Sequence, residues 1–286
     1  HHMMKMIRNT DFDVVYFESF HVWNYPIMLY CKKKHIPMAH AINDVVPHEG
    51  DSMVKLKDWL NELTVVLSDR IILRSADGLN NAIRRFPKYK EKMRKVDLWY
   101  SFPQYCPPMG NTVLFFGRMN RYKGIDYLLE LVKQTPDIQY VIAGKADDSV
   151  SDTVDELRKM LNVKLDEGVI PYSKMHDYFY NAICTVLPYE TATQSGVVLD
   201  AYKHSRPAVA FDVGALGEQI DDGVTGYLAT SGDVRRLETQ LRKIIDMPRE
   251  QYKQMCKQSY QKGLEAYSAK SREIEFLNAI GVEKED

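Results

Sequence analysis

Val113 to Gly124 reads V-L-F-F-G-R-M-N-R-Y-K-G. A short apolar strand runs into Gly117, Arg118 follows at once, and Lys123 comes five residues later where a helix begins. The pattern brings two cations and free backbone N–H groups to a helix N-terminus, a place that suits a phosphate or diphosphate. Arg offers a planar fork of donors and Lys a compact charge, and both can neutralise a departing diphosphate without themselves reacting. Two solvated basic residues at a helix start would give the same letters, and Arg121 between them could stand in for either.

Outward from this stretch, β-type runs alternate with helical ones, which points to an α/β chain with parallel sheets. Downstream, strands are expected at 113–116, 138–143, 169–170, 183–187, 207–211 and 226–228, with helices between them. Asp233 is placed to cap a helix carrying Val234, Leu237, Leu241 and Ile244 on one face, and helices at about 249–267 and 269–280 close the chain. That is a complete Rossmann-like domain. Upstream, strands are expected at 13–17, 36–42 (ending in Asn43 and Asp44), 70–73 and 96–99, and helices at 22–34, 53–67 and 76–85, the last capped by Ser75. Residues 45–52 form a polar loop, and 101–111, with three prolines and a glycine, reads as an interdomain linker. The first half holds about four strands, fewer than a doubly wound domain usually has. Either the chain is truncated or the domain is a reduced one. The expected division is 1–107, 108–267, and a closing segment 268–286.

The chain has 286 residues, room for two modest α/β domains with real cores. It is 45% hydrophobic and 27% charged with a net charge of −1, so no overall basic field argues for nucleic acid. Four scattered cysteines, with no CxxC, read as reduced thiols of a cytoplasmic protein. No window reaches the apolar length of a membrane span. His1 and His2 look like a purification tag, and no signal peptide follows them. The basic run Lys32, Lys33, Lys34 reads as a solvated helix end and leaves peripheral contact with a membrane surface open. A short first sheet leaves an edge that could pair with another chain, so a homodimer stays open too.

Two further stretches carry chemistry. Pro188 to Asp200, P-Y-E-T-A-T-Q-S-G-V-V-L-D, runs from an apolar strand through small polar residues into a helix starting near Gly196. Thr193, Gln194, Ser195 and Gly196 offer backbone N–H groups and short hydroxyls at the C-terminal edge of the sheet, where open α/β sheets bind ligands. Asp200, about one helical turn on, could accept hydrogen bonds from ribose hydroxyls. Taken alone, the stretch reads better as a simple strand, loop and Ser/Thr-capped helix. Asp212 to Gly226, D-V-G-A-L-G-E-Q-I-D-D-G-V-T-G, is punctuated by four glycines that serve tight turns, and Glu218 could meet a ligand or cap a helix.

The combination says more than its parts. F-F-G-R-x-x-x-x-K-G, then P-Y-x-x-A-T-Q-S-G-V-V-L-D-A-Y, then R-P-A-V-A-F-D-V-G-A-L-G-E-Q-I-x-D-G-x-T-G-Y-L resembles, in order and spacing, the retaining glycosyltransferases of family 4. The resemblance covers residues 111–267. Over 11–100, D-V-V-Y-F-E-S and A-I-N-D-V-V-P-H-E-G-D look like the later part of that family's acceptor domain. It implies the GT-B fold, two Rossmann-like domains facing across a cleft, here with the N-terminal one cut short. It also implies a final helix that returns to that domain.

The resemblance implies a function: transfer of a sugar from a nucleoside-diphosphate donor, UDP- or GDP-linked, to a glycan or lipid-linked acceptor with retention of configuration. The setting would be polysaccharide or glycoconjugate biosynthesis, and neither a cofactor nor a metal would be required. Residue by residue, Arg118 and Lys123 match the pair that holds the donor diphosphate, beside Gly117. Asp200 matches the second acid of the family's E-x7-E motif, which binds ribose. The first acid would fall on Ala192, a departure that puts the donor sugar in doubt, and Glu190 lies near enough to substitute. The backbone of Thr193 to Gly196 would wrap sugar and phosphates, and backbone near Ile170 would meet the nucleobase. On the acceptor side the family's usual histidine position reads Asn43, with Asp44, His40 and His48 nearby. His40 is expected inside a strand. His48 is the candidate for facing the cleft, with a plain surface histidine as the alternative. A nucleotide-sugar-binding fragment without transferase activity is the leading alternative. A nicotinamide enzyme is disfavoured, because no G-x-G-x-x-G follows a candidate first strand.

Overall fold

The computed structural model describes residues 5, 7–43, 45, 54–105 and 110–282. The chain divides into two compact units, residues 1–98 with 272–286, and residues 99–271.

The first unit is built from β1 (Val15–Phe17), α1 (Asn24–Lys34), β2 (Met38–Ala41), α2 (Val54–Leu67), β3 (Arg70–Leu73), α3 (Ala76–Arg85) and β4 (Met93–Lys95). Its four strands are parallel in the order β1-β2-β3-β4. Every crossover steps the same way across the sheet, so right-handed connections put α1, α2 and α3 on one face. Two apolar clusters lie under them. Phe17, Ile27, Met28, Cys31 and Met38 pack together at α1, and Ile42, Val65, Ile71, Leu73, Ala82 and Met93 at α2 and α3. Ser75 caps α3 by accepting the Gly78 N–H at 2.9 Å. Tyr16 meets Phe276 edge-on at 5.0 Å, and Arg272 pairs with Asp97 at 3.0 Å.

The second unit holds β5 (Thr112–Phe116), α4 (Ile125–Gln134), β6 (Tyr140–Gly144), α5 (Ser151–Lys159), β7 (Val163–Glu167), α6 (Tyr172–Tyr180), β8 (Ala182–Leu187), α7 (Gly196–Lys203), β9 (Ala208–Phe211), α8 (Leu216–Gln219), β10 (Gly226–Ala229), α9 (Val234–Ile245) and α10 (Arg249–Tyr267), and α11 (Ala269–Ile280) begins in it. The six parallel strands run β10-β9-β8-β5-β6-β7. The chain builds outward from β5 to β7 and then crosses back to β8, so the strand order reverses between β5 and β8. Ligands of open α/β sheets bind at the C-terminal ends of strands at such a point. The middle strands are buried on both faces, with Val113, Leu114 and Phe115 fully covered. Leu114, Phe179, Ala182 and Ala201 form the cluster that seats α6 and α7.

The turn after α7 is closed by an arginine. Ser205 takes a positive φ of 60°. The fully buried Arg206 donates to the carbonyls of Tyr180, Ala182 and His204 at 2.6–2.7 Å.

Three expectations change. The strand expected at 96–99 lies at Met93–Lys95 instead. It is an edge strand whose Arg94 is exposed, so its polar letters hid it. The strand expected at 169–170 lies at Val163–Glu167, another edge strand of alternating V-K-L-D-E. Val169, 82% exposed, sits in the following loop. The segment read as a linker starts inside the second unit. Tyr100 N–H donates to Tyr267 O at 2.8 Å, Tyr260 Oη donates to Pro103 O at 2.7 Å, and Phe102 and Tyr105 pack on the Tyr260 ring. The boundary therefore falls after Leu98.

Candidate functional site

The loops that follow β5, β6, β7 and β8 are tied together by backbone at the C-terminal edge of the second sheet. Gly117 N–H donates to Ala143 O, and Gly168 N–H to Gly144 O, both at 2.9 Å. Glu190 N–H donates to Tyr122 O at 2.8 Å. Gly124 has φ +69°, and a Cβ there would lie 1.7 Å from Pro188 O. Only glycine lets these two loops, on either side of the strand reversal, touch backbone to backbone.

Lys123 is fixed by this contact. Its N–H donates to Asn120 Oδ1 at 3.1 Å. Its ammonium lies over the Tyr189 ring, 5.2 Å from the centroid. A Cβ built on Gly117 would be 3.0 Å from Lys123 Nζ and 4.0 Å from Val197 Cγ2, so the cation stands beside the first turn of α7. Among the described residues no carboxylate pairs with it. Burial pushes its pKa down, and Arg118 adds to that. A half-buried cation without a counter-charge is costly until an anion arrives. Arg118 is different: its side chain is 63% exposed, and its Nε lies 3.9 Å from Asp147 Oδ1.

The start of α7 is held by an amide clasp. Ser195 N–H donates to Gln219 Oε1 at 3.0 Å, and Gln219 Nε2 donates back to Ser195 O at 3.2 Å. Ser195 Oγ accepts the Val198 N–H and caps the helix. Ala192, where an acid was expected from the resemblance, is buried, and its carbonyl accepts the Ala215 N–H at 2.8 Å. Thr193 and Gln194 are half-buried, and Gln194 Oε1 is enclosed without a hydrogen-bond partner. Glu190 is exposed.

Asp200 lies one turn into α7, only 6% exposed, and its Oδ1 has no hydrogen-bond partner. Burial pushes its carboxyl up to about 6, with Lys203 opposing the rise. Lys203 Nζ in turn donates to Tyr172 Oη at 3.1 Å. Tyr172 opens α6 just beyond Ile170, so the loop after β7 and the Asp200 turn are linked by that contact. Gly117, Arg118, Lys123, Ile170, Glu190, Thr193, Gln194, Ser195, Gly196 and Asp200 thus all fall along one edge of one sheet. Tyr100 and the Tyr172–Lys203 pair join them unforeseen. Tyr100 was hidden because it follows the wrongly placed strand, and an exposed tyrosine and a half-buried lysine far apart in sequence give no spacing signal.

The remaining candidates lie in the first unit. Asn43 follows β2, and its Oδ1 is buried without a partner. Asp44 and His48 lie outside the described residues. His40 is buried and stacked on Phe17 at 5.3 Å. Its Nδ1 is 2.7 Å from Ala41 O, which can only accept, so Nδ1 carries the proton and Nε2 accepts from Asn24 Nδ2 at 3.2 Å. Burial lowers its pKa, and this histidine is neutral and structural.

Residues 110–247 match the family of glycosyl transferases group 1. The sucrose-phosphate synthase of Thermosynechococcus elongatus superposes with a TM-score of 0.77 at 16% identity, over 96% of this chain and 75% of that one. The fold is that of the GT-B glycosyltransferases. Anabaena HepE, solved in complex with UDP and glucose, has the same GT-B fold with a TM-score of 0.77 at 15% identity, over 97% and 80% of the two chains. In sequence, the alpha-maltose-1-phosphate synthase of Mycolicibacterium smegmatis is 23% identical over 242 residues, 74% of this chain and 62% of that protein. The chain spans less than two thirds of the length of such curated relatives. The family match contains the second-unit site residues from Gly117 to Gln219, though not Tyr100, and supports a glycosyltransferase.

Proposed function

We propose that this chain transfers a sugar from a nucleoside-diphosphate donor to a hydroxyl of a glycan or lipid-linked acceptor, with retention of configuration, in polysaccharide or glycoconjugate biosynthesis. The observation that carries the reading is Lys123: a half-buried ammonium with no counter-ion among the described residues, beside the N-terminus of α7 at the strand reversal. A diphosphate seated there would meet Lys123, Arg118 and the first turn of α7. The loop after β7 would take the base and Asp200 the ribose, which orders the ligand along the sheet edge. HepE, solved with UDP, favours a uridine donor.

In the reaction, the bond between the sugar's anomeric carbon and the β-phosphate oxygen breaks. The acceptor oxygen forms a bond to that carbon from the same face, and the acceptor's proton passes to the departing phosphate. Lys123 and Arg118 neutralise the charge that grows on the diphosphate. No carboxylate nucleophile is assigned. Asn43, Asp44 and His48 are proposed for the acceptor side.

Calorimetric titration with UDP, GDP and ADP, followed by their sugar conjugates, tests the donor site. Saturable binding of one nucleotide is expected, weakened by Lys123→Ala. Absence of binding to all three removes the reading. A chain that binds a nucleotide but releases no diphosphate with any acceptor would be a binding module, the alternative that the four-stranded first sheet keeps in view.

A further inference from the structure

Tyr100 stands over the start of α7, one turn before Asp200. Its backbone is pinned at the junction of α10 and α11: its N–H donates to Tyr267 O at 2.8 Å and its carbonyl accepts the Ala269 N–H at 3.2 Å. The side chain therefore leaves a fixed point. It reaches α7 at Gly196, where a Cβ would be 2.8 Å from Tyr100 Oη, which gives the glycine at the first position of this helix a physical reason. Asp200 is four residues further along α7, on the same stripe. Two polar groups thus converge. Asp200 Oδ1 is buried without a hydrogen-bond partner, and the half-buried Tyr100 side chain makes no hydrogen bond through its hydroxyl among the described residues. A buried polar atom without a partner, such as Asp200 Oδ1, needs an explanation, and the half-buried Tyr100 hydroxyl beside the same helix is free to share in it.

Resting on the nucleotide-sugar reading, we propose that Tyr100 is a specificity-determining residue, whose hydroxyl and the Asp200 carboxylate together receive the vicinal diol of the nucleotide's ribose. The chemistry of the two groups fits. The Tyr100 hydroxyl, raised to about 12 by burial first and by Asp200 next, keeps its proton at neutral pH and can both donate and accept. The carboxylate only accepts. A cis-diol offers two hydroxyls that each donate and accept, so both partners are satisfied at once. The location fits as well. The pair lies between Lys123, near Val197, and Tyr172, which Lys203 ties to this turn. The ribose of a nucleoside diphosphate lies between its phosphates and its base.

The test is a cycle of titrations with the nucleoside diphosphate that the parent binds, its 2′-deoxy and 3′-deoxy forms, and the variant Tyr100→Phe. The hydroxyl has no protein partner to lose, so the variant keeps the parent's melting temperature. It should bind the ribonucleotide about threefold to tenfold more weakly, and that loss should vanish with one of the two deoxy nucleotides. Equal affinity of parent and variant for the ribonucleotide overturns the assignment, as does a loss of the same size with all three ligands. If Asp200→Asn weakens binding while Tyr100→Phe does not, the donor-site reading stands and this inference falls. If the parent binds no nucleoside diphosphate, both fall.

Discussion

Asp200→Asn should make the free protein more stable and the nucleotide complex weaker. Burial lifts this carboxyl to about 6 from an ordinary value near 3.8. A difference of about two in pKa corresponds to about 3 kcal/mol of preference for the neutral form. The native state then holds its proton over a pH range where the unfolded chain has lost it. Stability is undiminished below about pH 4, falls as pH rises towards 6, and carries the full penalty above that. At pH 7 the parent therefore bears a buried, unpartnered charge that asparagine lacks. The variant should be more stable there by about 2–3 kcal/mol, with about 2–4 °C of melting temperature per kcal/mol for a unit of this size. The gain should shrink to nothing at pH 4, where both side chains are neutral. Calorimetric melts of parent and variant from pH 4 to 8 read this directly. A gain independent of pH, or a parent more stable at pH 7, would refute the reasoning. In the same preparation, affinity for a nucleoside diphosphate should drop, because a neutral amide is a weaker partner for a ribose hydroxyl than a carboxylate.

Four other outcomes are expected. Lys123→Ala should weaken diphosphate binding by about 1.5–3 kcal/mol through loss of a charge-assisted contact. Arg118→Ala, at a mostly exposed site, should cost less and lose its effect as salt rises; titrations at low and high ionic strength separate the two, and equal salt dependence would contradict the burial argument. Gly124→Ala places a Cβ against Pro188 O at φ +69° and should destabilise the second unit by about 2–4 kcal/mol while abolishing nucleotide binding; a denaturation midpoint within experimental error of the parent's would refute it. Arg206→Met leaves the carbonyls of Tyr180, Ala182 and His204 buried without their donor and should cost about 3 kcal/mol or more; an unchanged midpoint would show that the turn finds other partners.

What could be read from sequence follows what each residue type can do alone. The strand-loop-helix units at Gly117 and Ser195 were legible, because an apolar run, a glycine and a capping serine each act locally. The edge strands β4 and β7 were not, since only one of their faces is covered and charged residues such as Arg94 and Lys164 sit on the other. Lys123 could be named from its position, but not its environment: the Tyr189 ring and the missing counter-ion come from loops that meet only in the fold. Tyr100 left no local mark at all. Its role depends on the junction of α10 and α11, more than 160 residues away in the chain. Asp200 was readable by its spacing from the loop, whereas its burial was not.

Lys123 and Asp200 have opposite charges but have been treated alike by the fold. Each is drawn out of water, each lacks a partner of opposite charge at hydrogen-bonding distance among the described residues, and each is shifted towards its neutral form. A sequence optimised only for stability would replace both, since buried polar groups are retained at a cost when nothing completes them. Lys123, in the turn after β5, lies beside Val197 at the start of α7, and Asp200 lies about one turn further along that helix. A ligand that completes both must carry an anion at one end and hydroxyls a short way along. Inorganic diphosphate satisfies only the first, and a nucleoside only the second. Both should therefore bind more weakly than a nucleoside diphosphate, which presents the two groups already linked and avoids a second loss of translational freedom.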